Sequence, residues 1–120
     1  MVFEKGFAEM ISDRQTLDVK TFASHTDLDR SFDVFISIGG DGTILRAATF
    51  VRDLEIPILG INAGRLGFLA SIPQESIAYY LDLVYRKQYT LSARTVLGLH
   101  SSVNNQQLED INFALNEVSI

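Results

Sequence analysis

Three glycines surround a single aspartate in the run Gly39-Gly40-Asp41-Gly42-Thr43. Glycines at the end of a strand let the backbone adopt a positive φ and let a ligand approach the main chain closely. A helix that begins there directs N–H groups and the positive end of its dipole at the ligand, typically a phosphate. A carboxylate in such a turn repels a phosphate unless it accepts a proton or holds a metal. Since Asp and Gly also suit ordinary tight turns, the flanking segments must decide between the two interpretations.

The spacing of apolar residues differs between the segments before and after the turn. Residues 33–38 are nearly continuously apolar, as buried parallel strands are. Residues 43–53 carry apolar side chains at helical spacing, and Thr43 is a candidate cap for that helix. A glycine turn between a buried strand and a helix is where α/β proteins bind ligands. The flanking pattern therefore favours a ligand site at Asp41 over a hairpin turn.

The remaining pattern predicts an α/β unit followed by consecutive strands. Before the turn we expect a helix over 3–15, a strand over 17–22 and a short helix or loop over 26–31. After it we expect a strand over 57–61 and a helix from Pro73 to about Lys87. Beyond these, strands are expected within 89–100, 106–109 and 113–120, with a hairpin turn at Asn104-Asn105.

The predicted fold class is thus α/β. We expect a parallel-sheet, Rossmann-like domain over residues 1–91 and the first strands of a truncated β-rich domain over residues 92–120. The net charge of −5 and the absence of a basic patch argue against a nucleic-acid partner. The sequence contains no run of 18 apolar residues, so no membrane-spanning helix is predicted. It also has no cysteine that could form a disulfide or a thiolate metal site. His25 and His100 lack metal-ligand spacing and are expected to be structural.

Two further segments carry a family resemblance. The run from Gly60 to Leu69 has the form G-x-N-x-G-x-L-G-F-L, and Asn116-Glu117 interrupts an apolar strand. Together with the glycine–aspartate turn, these resemble the three ordered motifs of the NAD kinase family, over residues 30–120. Lipid kinases of the diacylglycerol type share only the first motif, so they are the alternative enzyme class. A non-catalytic nucleotide-binding or dimerisation module is the alternative outside enzymes.

The resemblance implies a reaction and a set of site residues. Asp41 would accept the proton of the 2′-hydroxyl on the adenosine ribose of NAD, as a general base worth roughly 10²–10⁴-fold in rate. Phe68 would stack on adenine, with a core position as its alternative, and Arg46 would reach a pyrophosphate, with a solvated helix arginine as its alternative. The complete set of expected nucleotide-binding residues is Gly39, Gly40, Gly42, Thr43, Arg46, Asn62, Gly64, Leu66, Gly67, Phe68, Asn116 and Glu117.

The resemblance also implies substrates and setting. The expected substrates are NAD and ATP, or polyphosphate in place of ATP, with a divalent cation such as Mg²⁺ that no residue of this chain is expected to ligate. A cytoplasmic homo-oligomer is expected, without membrane or nucleic-acid partners. The family's later glycine-, serine- and threonine-rich segment is absent from these residues. The chain is therefore expected to be a fragment that is inactive in isolation.

Overall fold

The computed structural model describes residues 1–12, 19–64, 67–70, 72–98 and 113–115. A central parallel sheet has the order β3 (Phe35–Gly39), β4 (Ile58–Asn62) and β5 (Ile72–Pro73). A second parallel pair joins β1 (Phe3–Glu4) to β2 (Thr21–Phe22), and β6 (Leu97–Gly98) pairs antiparallel with β7 (Phe113–Ala114). The mixed α/β class with parallel sheets and a small antiparallel pair near the carboxyl end is confirmed.

Three helices and two 3-10 turns accompany the sheets in the described residues. They are α1 (Lys5–Ser12), α2 (Asp41–Val51) and α3 (Ile77–Tyr85), with the 3-10 turns at His25–Asp27 and Gln74–Ser76. Within the described part of the chain, no helix has the length and apolar character needed to cross a bilayer.

The unit that positions the turn is β3–α2–β4. β3 and β4 pair in parallel from Phe35↔Ile58 to Gly39↔Asn62, as the apolar run and the glycine turn predict. The buried face of α2, which consists of Ile44, Ala47 and Val51, packs on this sheet. Because the strands are parallel and in register, both end at the same edge of the sheet.

The predicted cap of α2 is wrong by three residues. The helix begins at Asp41, and Gly40 is its N-cap, with φ −96° and ψ −168°. The carbonyl of Gly40 accepts the N–H groups of Thr43 (3.0 Å) and Ile44 (3.4 Å), so Thr43 already lies within the first turn. An acidic side chain in that turn is favourable, because it interacts with the positive end of the helix dipole.

Several other boundaries also differ from the sequence predictions. Pro73 ends β5 rather than starting a helix, and α3 begins only after the turn at Gln74–Ser76. A proline is tolerated there because β5 is an edge strand of the described sheet. Phe3 lies in β1 and not in the predicted helix.

The strands predicted toward the two ends are only partly visible. Within 17–22 the described strand is Thr21–Phe22, and within 89–98 it is Leu97–Gly98. The predicted hairpin turn at 104–105 and the strand at 106–109 lie outside the described residues, as does 116–120 of the last predicted strand.

An aromatic cluster fastens β2 to the central unit. The rings of Phe22 and Phe50 meet edge-on with centroids 5.3 Å apart, and Phe35 lies 5.8 Å from Phe22 and 6.3 Å from Phe50. Aromatic pairs at such distances stabilise a core beyond the area that they bury. Phe50 lies near the carboxyl end of α2, so the cluster anchors that end of the helix. The amino end of α2 lies at the sheet edge, next to the glycine turn.

Candidate functional site

Two glycine-rich loops meet at the carboxyl edge of the central sheet. Gly39, the last residue of β3, is paired with Asn62, the last residue of β4. The N–H of Ala63 also donates to the carbonyl of Gly39 over 3.3 Å. The predicted turn at 39–43 and the glycine-rich run that begins at Gly60 are therefore neighbours in space.

The first loop requires glycine at one position and offers open backbone at two others. Gly39 has φ 154°, and a Cβ there would overlap the side chain of Thr43. An added Cβ on Gly40 or Gly42 would meet no atom within 4 Å. The N–H groups at the amino end of α2 precede the first intrahelical bond, as at any helix start. A ligand can therefore approach the main chain of this turn closely.

The carboxylate of Asp41 spans the gap between the loops. Its Oδ2 accepts the N–H of Phe68 (2.9 Å), and its Oδ1 accepts the N–H groups of Leu69 (2.9 Å) and Ala70 (3.1 Å). These bonds hold the pKa of Asp41 below its usual 3.8, with Leu69 contributing most, then Phe68, then Ala70. Asp41 is therefore ionised at neutral pH.

Asn62 fixes the second loop internally, and Gly67 lets that loop come close to Asp41. The buried side chain of Asn62 accepts the N–H of Gly64 at Oδ1 (2.7 Å) and donates from Nδ2 to the carbonyl of Ala70 (3.4 Å). A Cβ on Gly67 would overlap the carboxylate of Asp41. Gly67 is thus the residue that lets the carboxylate reach the three N–H groups.

Phe68 is the most exposed large apolar side chain of the site. Its side chain is 97% exposed, although its N–H is bonded to Asp41. The alternative that Phe68 is a core residue is therefore wrong for this structure. A fixed backbone that carries a ring in solvent is suited to stacking on a planar ligand.

Arg46 lies away from the meeting point of the loops. Its guanidinium donates to Glu4 Oε1 over 3.3 Å and lies 5.8 Å from the centroid of the Phe50 ring. Glu4 also accepts the N–H of Phe7 at its other oxygen, over 2.8 Å. Contact between Arg46 and a pyrophosphate stays a prediction, and it requires the pair with Glu4 to open.

Three predicted binding residues lie outside the described residues: Leu66, Asn116 and Glu117. Among the described residues, no three His, Asp or Glu side chains come together as a set that could hold a metal. The carboxylate of Asp41 also faces three N–H donors, which a cation would have to displace. The described residues therefore do not fit a Mg²⁺ site.

Three residues of the site were not singled out from the sequence, namely Gly60, Leu69 and Ala70, and Leu69 donates its N–H to Asp41. Ala70 is fully buried and is held at both its N–H and its carbonyl, by Asp41 and Asn62. Gly60 lies beneath it, because a Cβ there would come within 3.2 Å of Ala70 Cα and would overlap Ile44. An aspartate among glycines was only a partial signal, because it does not indicate which residues supply the hydrogen-bond donors.

Comparisons with known proteins agree on one family. Residues 5–89 match the model of the ATP-NAD kinase N-terminal domain. The whole chain is 49% identical to an NAD kinase of Flavobacterium psychrophilum and 52% identical to one of Flavobacterium johnsoniae, and in each case it covers 42% of the relative. An NAD kinase of Christiangramia forsetii is 40% identical over the same span.

The matches cover most of this chain but only part of each relative. The family model covers well over half of the chain, so family membership does not depend on the glycine–aspartate motif that lipid kinases share. The chain spans less than half the length of the relatives, and the family model that it matches is that of the N-terminal domain. On this basis the chain belongs to the NAD kinase family.

Proposed function

We propose that this chain carries the acceptor side of an enzyme that transfers a phosphoryl group to the 2′-hydroxyl of the adenosine ribose of NAD. ATP or polyphosphate is the donor, and NADP is the product. The observation that carries the proposal is the ionised carboxylate of Asp41, which lies where two glycine-rich loops meet at the sheet edge.

The hydrogen bonds of Asp41 leave room for a substrate hydroxyl. A carboxylate offers about four acceptor positions, and the N–H groups of residues 68–70 take two on Oδ1 and one on Oδ2. The remaining position on Oδ2 can accept the 2′-hydroxyl. As the 2′-oxygen of the ribose attacks phosphorus, its proton passes to Oδ2 of Asp41. The bond from phosphorus to the rest of the donor breaks, and the remaining phosphate chain leaves.

The lowered pKa of Asp41 limits how it works as a base. A carboxylate of low basicity does not deprotonate a free ribose hydroxyl before the attack. Proton transfer must accompany formation of the O–P bond, when the hydroxyl becomes acidic. Most of the acceleration in phosphoryl transfer then comes from positioning and charge stabilisation, with the base contributing roughly 10²–10⁴-fold.

Other residues of the two loops bind the dinucleotide in this proposal. The open backbone at Gly40 and Gly42 lies at the amino end of α2, where a phosphate is favoured. Phe68 provides a ring for the adenine. The divalent cation is expected to arrive with the donor phosphates.

The proposed reaction can be tested in a chimera, which we call the johnsoniae chimera. In it, these 120 residues replace the matching 42% of the Flavobacterium johnsoniae relative. We expect it to form NADP from NAD and ATP, and to leave NAD lacking the 2′-hydroxyl on the adenosine ribose unphosphorylated. The isolated chain is expected to show no turnover. Phosphorylation of the 2′-deoxy compound, or of diacylglycerol in place of NAD, would exclude the proposed acceptor.

A further inference from the structure

Asp41 makes more hydrogen bonds to the protein than a proton acceptor needs. Its three donors are consecutive backbone N–H groups, 27 to 29 residues away in sequence. We propose that Asp41 is also a positioning residue: its carboxylate latches residues 68–70 to the amino end of α2 and so holds the ring of Phe68 at the acceptor site. The role of the ring depends on the proposed function, whereas the latch does not.

The backbone of residues 68–70 forms the other half of the latch. Successive N–H groups that converge on one point form a concavity that binds anions. Here the anion is supplied by the protein, since two N–H groups converge on Oδ1 and the third reaches Oδ2. Charged hydrogen bonds of this kind are roughly twice as strong as neutral ones.

Gly67 makes the latch sterically possible. The carboxylate of Asp41 occupies the space where a Cβ of residue 67 would lie, so any larger residue must displace it. Gly64, in the same loop, has no atom within 4 Å of an added Cβ. The two glycines therefore offer a matched pair of substitutions, one that opens the latch and one that leaves it closed.

The latch holds the backbone of residues 68–70 and makes no contact with the ring of Phe68. Ala70 is buried and held at both polar atoms, whereas Phe68, two residues earlier, has a 97% exposed side chain. Only the N–H of Phe68 connects that residue to Asp41. Opening the latch therefore frees the position of the ring without removing any contact of the ring itself.

Amide hydrogen exchange on the 120-residue chain tests the latch directly. In Asp41→Ala and in Gly67→Ala, we expect the amides of residues 68–70 to exchange at least about tenfold faster, because a hydrogen bond to a charged group is lost. In Gly64→Ala they should keep the wild-type rates. The amide of Ile61 in β4 serves as an internal reference for global opening.

Two further variants sharpen this result. In Asp41→Asn the side-chain NH₂ can face the N–H of Phe68, donor against donor, so Phe68 should be released more than Leu69 and Ala70. The double variant Asp41→Ala/Gly67→Ala should exchange no faster than Asp41→Ala alone. Unchanged exchange at 68–70 in both single variants, or an equal increase at Ile61, would overturn the latch.

Kinetics in the johnsoniae chimera test the positioning of Phe68. Gly67→Ala should raise the KM for NAD and leave the KM for ATP unchanged, and it should add nothing to Phe68→Ala. A Gly67→Ala variant with an unchanged KM for NAD would overturn the positioning role. A chimera that forms no NADP at all would instead contradict the proposed function, while the exchange rates would still decide the latch.

Discussion

The ring of Phe68 has almost no protein contact, although its backbone is held in place. Stacking of a base on an aromatic side chain is worth about 1–3 kcal/mol. We therefore expect Phe68→Ala to raise the KM for NAD roughly 5- to 150-fold in the johnsoniae chimera. Phe68→Tyr, which keeps an aromatic face, should stay close to the parent value. An unchanged KM in Phe68→Ala would mean that adenine binds elsewhere.

The pH response of Asp41 follows from its lowered pKa, whose largest cause is the N–H of Leu69. Because the folded-state pKa lies below the unfolded value, the ionised form adds stability above the unfolded pKa, and this is lost as pH falls through the folded pKa. Asp27 and Asp29 also have lowered pKa values, so a global unfolding curve would mix the three groups. The NMR chemical shifts of the Phe68 and Ala70 amides report the titration of Asp41 alone, because both amides donate to its carboxylate.

We expect these amide shifts to titrate with a midpoint below 3.8, the ordinary value for an aspartate. Asp41→Asn should abolish the transition, because its side chain has no proton to gain in this range. A midpoint above 3.8 would show that the three N–H groups do not stabilise the carboxylate.

At the scale of elements, the turn between β3 and α2 contains glycines with opposite expected responses to alanine. A Cβ at Gly39 overlaps Thr43 at φ 154°, so Gly39→Ala should destabilise the fold by about 1–3 kcal/mol. Gly42 lies inside α2 with open space around it, so Gly42→Ala should stabilise the fold by up to about 1 kcal/mol. Urea denaturation of both variants checks the signs, and equal effects would contradict this description of the turn.

The elements around that turn were the most predictable part of the fold. The apolar run and the helical spacing place β3 and α2 to within two residues, because the period changes at the glycines. The start of α2 was less predictable, since Gly40 accepts the first helical N–H groups with its backbone carbonyl. The contact of Asp41 with residues 68–70 was not predictable, because it depends on the register that pairs Gly39 with Asn62.

At the scale of the whole molecule, apolar side chains remain exposed on the central sheet and on α3. Ile36 and Ile38 of β3 are 39% and 45% exposed, and α3 has no buried residue. β3 is also an edge strand of the described sheet, and such edges recruit other chains.

We therefore expect the 120-residue chain to associate with itself at micromolar concentration. Its mass by light scattering should exceed the 13.4 kDa of one copy. Replacing Ile36 and Ile38 together by Gln should lower that mass, because it removes the exposed apolar groups of β3. A monomer at every concentration would show that this face does not drive association.

Turnover of Asp41→Asn in the johnsoniae chimera tests the central claim most directly. With NAD and ATP both saturating, we expect kcat to fall by at least ~10²-fold, because the amide cannot take the hydroxyl proton. Asp53→Asn, an exposed position just beyond α2, is the matched control and should keep the parent rate. Parent-like turnover in Asp41→Asn would contradict the account, since Asp41 would then be a turn residue and the proton acceptor would lie elsewhere.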